Sequence, residues 1–180
     1  YNTANLKKHW DRLHRGDCEP FPIVESDQEA WRLYHQGDFE KAVALGLKGG
    51  LPGINAANKA AIIYASYLEK DEQRKLAMYE EAASRCDESV RSNPENINGH
   101  YLLALALGRY GQGISITKAL AQGLGGKVKT ALTKVIELNP KHADAHIALG
   151  AYHAEVIDKV GSTIGGLTYG AKKESAVEHF

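Results

Sequence analysis

Two Asn-Pro pairs, Asn93-Pro94 and Asn139-Pro140, close two amphipathic segments in the second half of the chain. Because proline cannot continue a helix and disfavours helical geometry in the residue before it, each pair predicts a helix end. Similar residues flank both prolines at the same offsets. They are Ala82, Cys86, His100, Leu103, Ala104 and Leu107 around Pro94, and Val128, Leu132, His146, Leu149, Gly150 and His153 around Pro140. The chain therefore contains an internal repeat of paired helices.

At these offsets the chain resembles the tetratricopeptide repeat family, in a bacterial-type form, because the family pattern runs W-x2-L-G-x2-Y, then A-x3-F, then P. Residues 37–42 resemble the family's interhelix turn, and Ala176 and Phe180 repeat the second-helix signature. The pattern covers most of residues 30–180 and is degenerate before Ala57. The resemblance implies an all-α fold, a right-handed αα-superhelix of helical hairpins in which small residues let the helices approach closely.

The last two repeats depart from the family pattern by insertions of 12 and 14 residues, at the same place between the first and second helix. In this respect residues 100–180 are similar to regulator-of-microtubule-dynamics proteins, which have a long-helix variant of the repeat. We therefore expect extended helices in the last two hairpins. The microtubule role does not follow from this likeness, because a fold does not fix a function.

The spacing predicts one domain, residues 1–180. It divides into an N-terminal helix and loop at 1–25 and helical hairpins at 26–54, 55–94, 95–140 and 141–180. Ser26, with Glu29 three residues later, predicts a capping box for the second helix. The last hairpin stops in mid-helix without its closing proline, so we expect the native chain to continue. The residues predicted to be buried are Trp10, Trp31, Cys86, Leu103, Leu107, Leu132, Leu149 and Phe180.

The charge balance and the hydropathy of the chain argue against two classes of protein, nucleic-acid binders and membrane-spanning proteins. The chain has 22 basic and 22 acidic residues, whereas a nucleic-acid binder normally has a basic excess. Residues 97–141 are locally basic, with six lysines and arginines against Glu137 alone, which indicates either a solvated helix face or a surface for an acidic partner. No apolar run reaches the roughly 20 residues of a membrane span. We expect a soluble protein, with the cytoplasm and the periplasm both open.

Neither the histidines nor the cysteines predict a metal or a cofactor. His142 and His146 have a spacing that can bind zinc, with His153 further along, but His146 and His153 fall on packing positions of the repeat. The two cysteines, Cys18 and Cys86, have no zinc or redox spacing, and a bridge between them stays open.

No catalytic arrangement is evident either. Residues 123–128 are rich in glycine, but they lack the hydroxyl residue after the lysine and the preceding strand of a phosphate loop. A helix-ending turn there is favoured over a phosphate site. No nucleophile–base arrangement or pair of carboxylates can be argued from the spacing, so we predict that the chain is not an enzyme.

In each of the last two hairpins, small residues recur at helical spacing along the first helix and beyond it, as at Gly108, Gly111, Ser115 and Ala119. Each helical glycine costs about 1 kcal/mol relative to alanine, so their repeated use predicts close helix packing, or a cleft where the helices diverge. Because Arg109 and Gln112 occupy positions equivalent to Glu155 and Asp158, we expect Arg109 to pair with one of these carboxylates.

The resemblance implies a scaffold that binds a protein or peptide on the concave face formed by the first helix of each hairpin. The alternative is a carrier of a small ligand that assists a transporter, with a pocket among the extended helices. An enclosed apolar cavity facing Arg109 or Tyr110 favours the carrier, and an open groove favours the scaffold. The candidate binding residues are Tyr101, Leu105, Arg109, Tyr110, Gln112, Lys118, Ile147, Ala151, Glu155 and Asp158.

Overall fold

The computed structural model describes residues 2–179, apart from the side chain of Leu167, and these residues form ten α-helices and no strand. The predicted all-α class is therefore confirmed. Phe180, which we predicted to be buried, lies outside the described residues. The helices are α1 (Thr3–Leu13), α2 (Glu25–Gln36), α3 (Phe39–Lys48), α4 (Ile54–Tyr67), α5 (Glu72–Ser92), α6 (Ile97–Gln112), α7 (Ile116–Ala121), α8 (Leu124–Leu138), α9 (Ala143–Tyr169) and α10 (Lys173–Glu178).

The two Asn-Pro turns are held by the same hydrogen bonds. Asn96 caps α6 by accepting a hydrogen bond from the Gly99 amide at 3.0 Å, and the His142 Nδ1 atom caps α9 by accepting one from the Ala145 amide at 3.0 Å. After each cap, a histidine of the following turn donates from Nε2 to the carbonyl of the preceding proline. The distances are 2.9 Å from His100 to Pro94 and 3.1 Å from His146 to Pro140. The sequence repeat is thus a repeat of turn geometry.

The helices pack in chain order as four hairpins. The pairs are α2 with α3, α4 with α5, α6 with α8, and α9 with α10, and each hairpin also packs against the next. Among the first helices, α2 packs against α4 and α4 against α6. The backbones of α6 and α9 do not approach each other to a comparable degree. The row of first helices therefore opens between the last two.

Most of the predicted core is buried. Trp10, Trp31, Cys86, Leu132 and Leu149 are at most 6% exposed, as predicted. Leu103 and Leu107, predicted to be mostly buried, are half-buried and pack against the core, so they are covered less completely than the others. The fully buried positions of α6 are taken by Leu102 and Ala106 instead, because they face α4 and α5, whereas Leu103 and Leu107 border open space beside α8.

Helix α2 begins two residues earlier than predicted, and Ser26 is not its cap. Val24 already has extended geometry and precedes the helix without any side-chain cap. The Ser26 hydroxyl instead lies 3.4 Å from an Asp27 carboxylate oxygen. Two acidic residues in the first turn, Glu25 and Asp27, favour a helix start here through the helix dipole.

The two insertions do not lengthen the first helices as expected. Helix α6 ends at Gln112, and the first insertion forms the separate short helix α7, capped by Ser115, whose hydroxyl accepts a hydrogen bond from the Lys118 amide at 3.2 Å. The second insertion interrupts α9 at Gly161, where φ is 80° and ψ is 160°. Glycine adopts this conformation far more readily than other residues. Beyond it the chain folds back, so that the Tyr152 hydroxyl donates to the Tyr169 carbonyl at 3.3 Å.

The packing of α9 against α8 gives a direct test of the repeat register. Leu149 is 6% exposed, and we expect Leu149→Ala to lower the free energy of unfolding by about 2–5 kcal/mol, the usual effect of truncating a buried leucine. Ile147 lies on the same helix and is 53% exposed, so Ile147→Ala is the matched control, with a smaller effect. Urea denaturation measures both. A loss below about 0.5 kcal/mol for Leu149→Ala, the range of surface substitutions, contradicts the register.

Candidate functional site

A loop that follows α1 crosses the first helices of all four hairpins, and we call its residues 14–19 the strap. At one end, the His14 and His35 Nε2 atoms are 2.9 Å apart, which joins the strap to α2. Next, the Asp17 carboxylate forms an ion pair with Lys59 of α4. These contacts attach the strap to the first two hairpins.

The strap continues across the starts of α6 and α9. The Asn98 side chain of α6 donates to the Asp17 carbonyl at 2.9 Å, and the Asp144 amide of α9 donates to the Gly16 carbonyl at 3.1 Å. There is no space left over, since a Cβ atom on Gly16 would lie 2.1 Å from a carboxylate oxygen of Asp144. The strap is therefore an integral part of the packing between hairpins that are far apart in sequence.

Asp17 of the strap and Lys59 of α4 stabilise each other's charged forms. Burial alone would raise the pKa of Asp17, but the hydrogen bond from His14 and the charge of Lys59 hold this pKa well below its usual range. Burial would likewise lower the pKa of Lys59, but the charge of Asp17, the neighbouring Tyr34 and the hydrogen bond to Asp17 together outweigh burial and raise this pKa. The result is a buried ion pair whose charges persist across the ordinary pH range.

Glu19 and His35 are shifted in opposite senses. Burial raises the pKa of Glu19 to about 7, although the side-chain amide of Asn55 donates to its carboxylate at 3.2 and 3.3 Å. Burial lowers the pKa of His35 to about 4, and the neighbouring His14 and Lys59 lower it further. Both groups are therefore favoured in their neutral forms inside the fold.

Beyond the strap, α6 and α9 diverge, and an apolar cavity of about 410 Å³, which we call the cleft, opens between them. One of its sides is open to solvent. Helices α6, α7, α8 and α9 all contribute to its walls. The apolar wall residues include Leu105, Ile116, Leu120, Leu124, Ala151 and Val156.

Both insertions reach the cleft. The first supplies α7, with Ile116, Ala119 and Leu120 on the wall. The second supplies Tyr169, which the fold-back at Gly161 returns to the cavity. The Tyr169 carbonyl is held by the Lys129 ammonium at 3.2 Å as well as by Tyr152. Two insertions at equivalent positions of successive repeats thus build one cavity, which can bind an apolar group.

The polar rim of the cleft corrects the ion pair that we expected for Arg109. The Arg109 guanidinium donates to the Gln112 side-chain oxygen at 3.2 Å, and the Gln112 amide donates to the Glu155 carboxylate at 2.6 Å. Gln112 thus stands between the two charges, because the divergence of α6 and α9 brings a residue one turn beyond Arg109 opposite Glu155. Asp158 is exposed and takes no part.

The ten candidate binding residues separate into two groups. Those that line the cleft are Leu105, Arg109, Gln112, Ala151 and Glu155. The others lie elsewhere: Tyr101 packs against His142 with ring centroids 4.9 Å apart, Tyr110 is buried, Lys118 lies over the Tyr110 ring, and Ile147 and Asp158 are exposed.

Sequence reasoning missed α7, Lys159 and Tyr169 at the cleft. The signal for α7 was present, since Ser115 precedes apolar residues at helical spacing, at Ile116, Ala119 and Leu120. No comparable sequence pattern predicts the strap, because the residues that it contacts lie in other hairpins.

The histidines that we considered as zinc ligands have hydrogen-bonding roles. The His142 Nε2 atom lies 3.0 Å from the Asn98 side-chain oxygen, and the His153 Nδ1 atom accepts from the Lys172 amide at 3.3 Å. The His146 Nδ1 atom lies 2.9 Å from the His179 Nδ1 atom. Within residues 2–179, no three side chains of histidine, cysteine, aspartate or glutamate are arranged to hold a metal ion.

The two cysteines do not form a disulfide bridge. Cys18 is exposed and Cys86 is buried, and both are free thiols, so the bridge that the sequence left open is not formed. Burial raises the pKa of Cys86 to about 12, which leaves it protonated and unreactive. In the part of the chain that the structure describes, no helix has the combination of length and apolar character needed to cross a membrane.

Comparison with known proteins gives one family match. The family described as regulator of microtubule dynamics protein 1-3 matches residues 28–161, well over half of the chain. This range runs from the first turn of α2 to the break in α9, so it includes most of the cleft but neither the strap nor the fold-back. No curated protein matches the chain.

The raised pKa of Glu19 predicts a pH-dependent stability. A carboxyl group whose pKa rises on folding contributes stability below its unfolded pKa of about 4.5 and loses it as pH rises through 7. Glu19→Gln keeps an acceptor for Asn55 but cannot ionise. Between pH 5 and pH 8, we therefore expect the parent to lose about 1–3 kcal/mol of unfolding free energy relative to Glu19→Gln.

Urea denaturation at the two pH values measures this difference. His35, whose lowered pKa removes stability as pH falls from about 6.5 towards 4, is present in both proteins and therefore cancels. Glu25→Gln, on the exposed start of α2, is the matched control and should follow the parent. Equal pH profiles for the parent and Glu19→Gln would contradict the prediction.

Proposed function

The chain belongs to the regulator of microtubule dynamics protein 1-3 family, and we propose that it is a non-catalytic scaffold that binds a segment of a partner protein in the cleft. The family description names a role in microtubule dynamics, and a module that holds a partner protein is compatible with such a role. The described residues offer the cleft apolar walls and a hydrogen-bonded rim without an evident nucleophile or paired carboxylates, which supports binding rather than catalysis.

The hairpin repeat supports a tetratricopeptide-type superhelix, with α2, α4, α6 and α9 on its concave face. In such proteins this face binds partner segments. The strap already occupies the part of the face near His35, Lys59 and Asn98. The cleft is the part of the same face that stays open, and it is therefore the place where a partner can bind.

One observation carries the proposal: the chain itself does not fill the space over Gly108. This residue lies in the middle of α6, where glycine costs about 1 kcal/mol relative to alanine. A Cβ atom built on Gly108 would meet no heavy atom within 4 Å, so close packing does not explain the glycine. The open space over Gly108 is room that a side chain of a bound partner would fill. The two insertions that enclose this space support the same conclusion.

A carrier of a small apolar ligand is the second candidate. A volume of about 410 Å³ falls within the usual range of small-ligand pockets, and Arg109 is on the lining, as this alternative requires. The open side of the cleft favours a partner segment, because a carrier normally encloses most of its ligand. The two candidates therefore share the site and differ in its occupant.

Gly108→Leu tests the proposed function by filling the cleft from within. We expect the variant to fold with unchanged or slightly higher stability, because leucine is the better helix former and its Cβ would meet no heavy atom within 4 Å, and to lose its partner. Gly126→Leu is the matched control, since its Cβ also meets nothing within 4 Å and Gly126 lies outside the cleft. The measurement compares proteins retained from an extract of the source cells by parent and variants, with a photo-crosslinking residue at Ala151 to identify the bound segment.

Each outcome distinguishes the candidates. A protein that crosslinks at Ala151 and is lost in Gly108→Leu but kept in Gly126→Leu supports the scaffold. A small molecule that copurifies with the parent and is absent from Gly108→Leu, without a crosslinked protein, supports the carrier instead. Identical binding by the parent and Gly108→Leu contradicts both uses of the cleft.

A further inference from the structure

The shape of the cleft restricts what can enter it. It runs along successive turns of α6 and α9, from Ala104 to Gln112 on one side and from Ala148 to Val160 on the other. Small residues, among them Gly108 and Ala151, keep the space between these helices clear. An elongated groove between two helices, with room for close approach, matches the groove that receives an amphipathic helix.

Helix α7 gives the cleft an apolar helical wall. It presents Ile116 to the cleft together with Ala119 and Leu120, which follow it by three and four residues on the same helix face. This apolar face is only partly covered, because Ile116 is 46% exposed and Leu120 is 42% exposed. A second helix laid in the groove would cover both side chains and the space over Gly108 together.

The charges around the cleft are unequal. Glu155 already accepts a hydrogen bond from Gln112, and among the described residues Arg109 is bonded only to the neutral side chain of Gln112. Lys159 lies on the lining, is exposed, and has no ion pair among the described residues. The charged residues of the cleft lining are thus two cations, Arg109 and Lys159, against the single carboxylate of Glu155. Complementary charge on a partner is therefore negative, which favours both encounter and orientation.

We propose that the partner segment is a short amphipathic helix, with aliphatic anchors at helical spacing that fill the space over Gly108 and acidic residues that face Lys159 and Arg109. The inference rests on the proposed function, because it specifies the chemistry of the segment that the scaffold holds. It adds that recognition combines burial of the anchors with charge complementarity at the rim.

Two labelled helical peptides of about 15 residues test the inference, since shorter helices are marginal in water. Both carry leucine at the same helical positions, and they differ only in having glutamate or lysine on the flanks. We expect fluorescence anisotropy to show binding of the glutamate peptide to the parent and about fivefold weaker binding of the lysine peptide, the effect of an exposed ion pair. The preference should diminish at high salt.

Reversal of a rim charge tests the orientation. Lys159→Glu should lower the affinity for the glutamate peptide and raise the affinity for the lysine peptide, each by about fivefold. Lys8→Glu, on the exposed face of α1, makes the same change in net charge away from the cleft and should leave both affinities unchanged. Gly108→Leu should abolish binding of both peptides.

The outcomes separate this inference from the proposed function. If both peptides bind equally, remain indifferent to Lys159→Glu and are lost in Gly108→Leu, the charge rule is overturned while the protein-binding cleft stands. If neither peptide binds but a fluorescent single-chain fatty acid does, and Gly108→Leu abolishes its binding, the inference is overturned together with the scaffold. If binding survives in Gly108→Leu, the cleft is not the site.

Discussion

The ion pair between Asp17 and Lys59 is the interaction on which the arrangement of the hairpins most depends. Taking two charges out of water costs several kcal/mol per ion, so a buried pair persists only when further hydrogen bonds satisfy its atoms. Here His14 donates to the carboxylate of Asp17 and Asn98 donates to its carbonyl. Those donors belong to different parts of the chain, and the contacts of Asp17 therefore fix several helices at once.

This network changes what a helical repeat array can do. In such an array each hairpin normally contacts only its neighbours, so the ends are free to move relative to each other. The strap adds contacts between distant hairpins: its His14 contacts His35 of α2, and its Gly16 accepts a hydrogen bond from Asp144 at the start of α9. The strap thereby joins the end of α2 to the starts of α6 and α9, while further along α6 and α9 diverge. The folded chain therefore forms the cleft by itself, which reduces the ordering that binding would require.

The same organisation gives the two insertions a common physical meaning. An apolar cavity exposed to water is unfavourable unless something limits its contact with solvent. Helix α7 and the fold-back after Gly161 both provide such cover, from two repeats that are separated in the chain. They leave one side open, and the exposed parts of Ile116 and Leu120 border it. The apolar cavity is therefore incompletely covered at the place where Gly108 leaves space. A cleft that binds an apolar partner would require this arrangement.

The sequence alone determined the hairpins, since Asn-Pro turns and helical periodicity act over a few residues and need no distant partner. It placed the buried residues Leu132 and Leu149 correctly, and it identified Leu105, Arg109, Gln112, Ala151 and Glu155, which line one cavity. It misjudged the pairing of Arg109, because the offset between two diverging helices depends on the packing of whole hairpins. Only the tertiary structure decided the strap, since the partners of Asp17 lie in α4 and α6, and no local pattern records a contact between groups that only folding brings together.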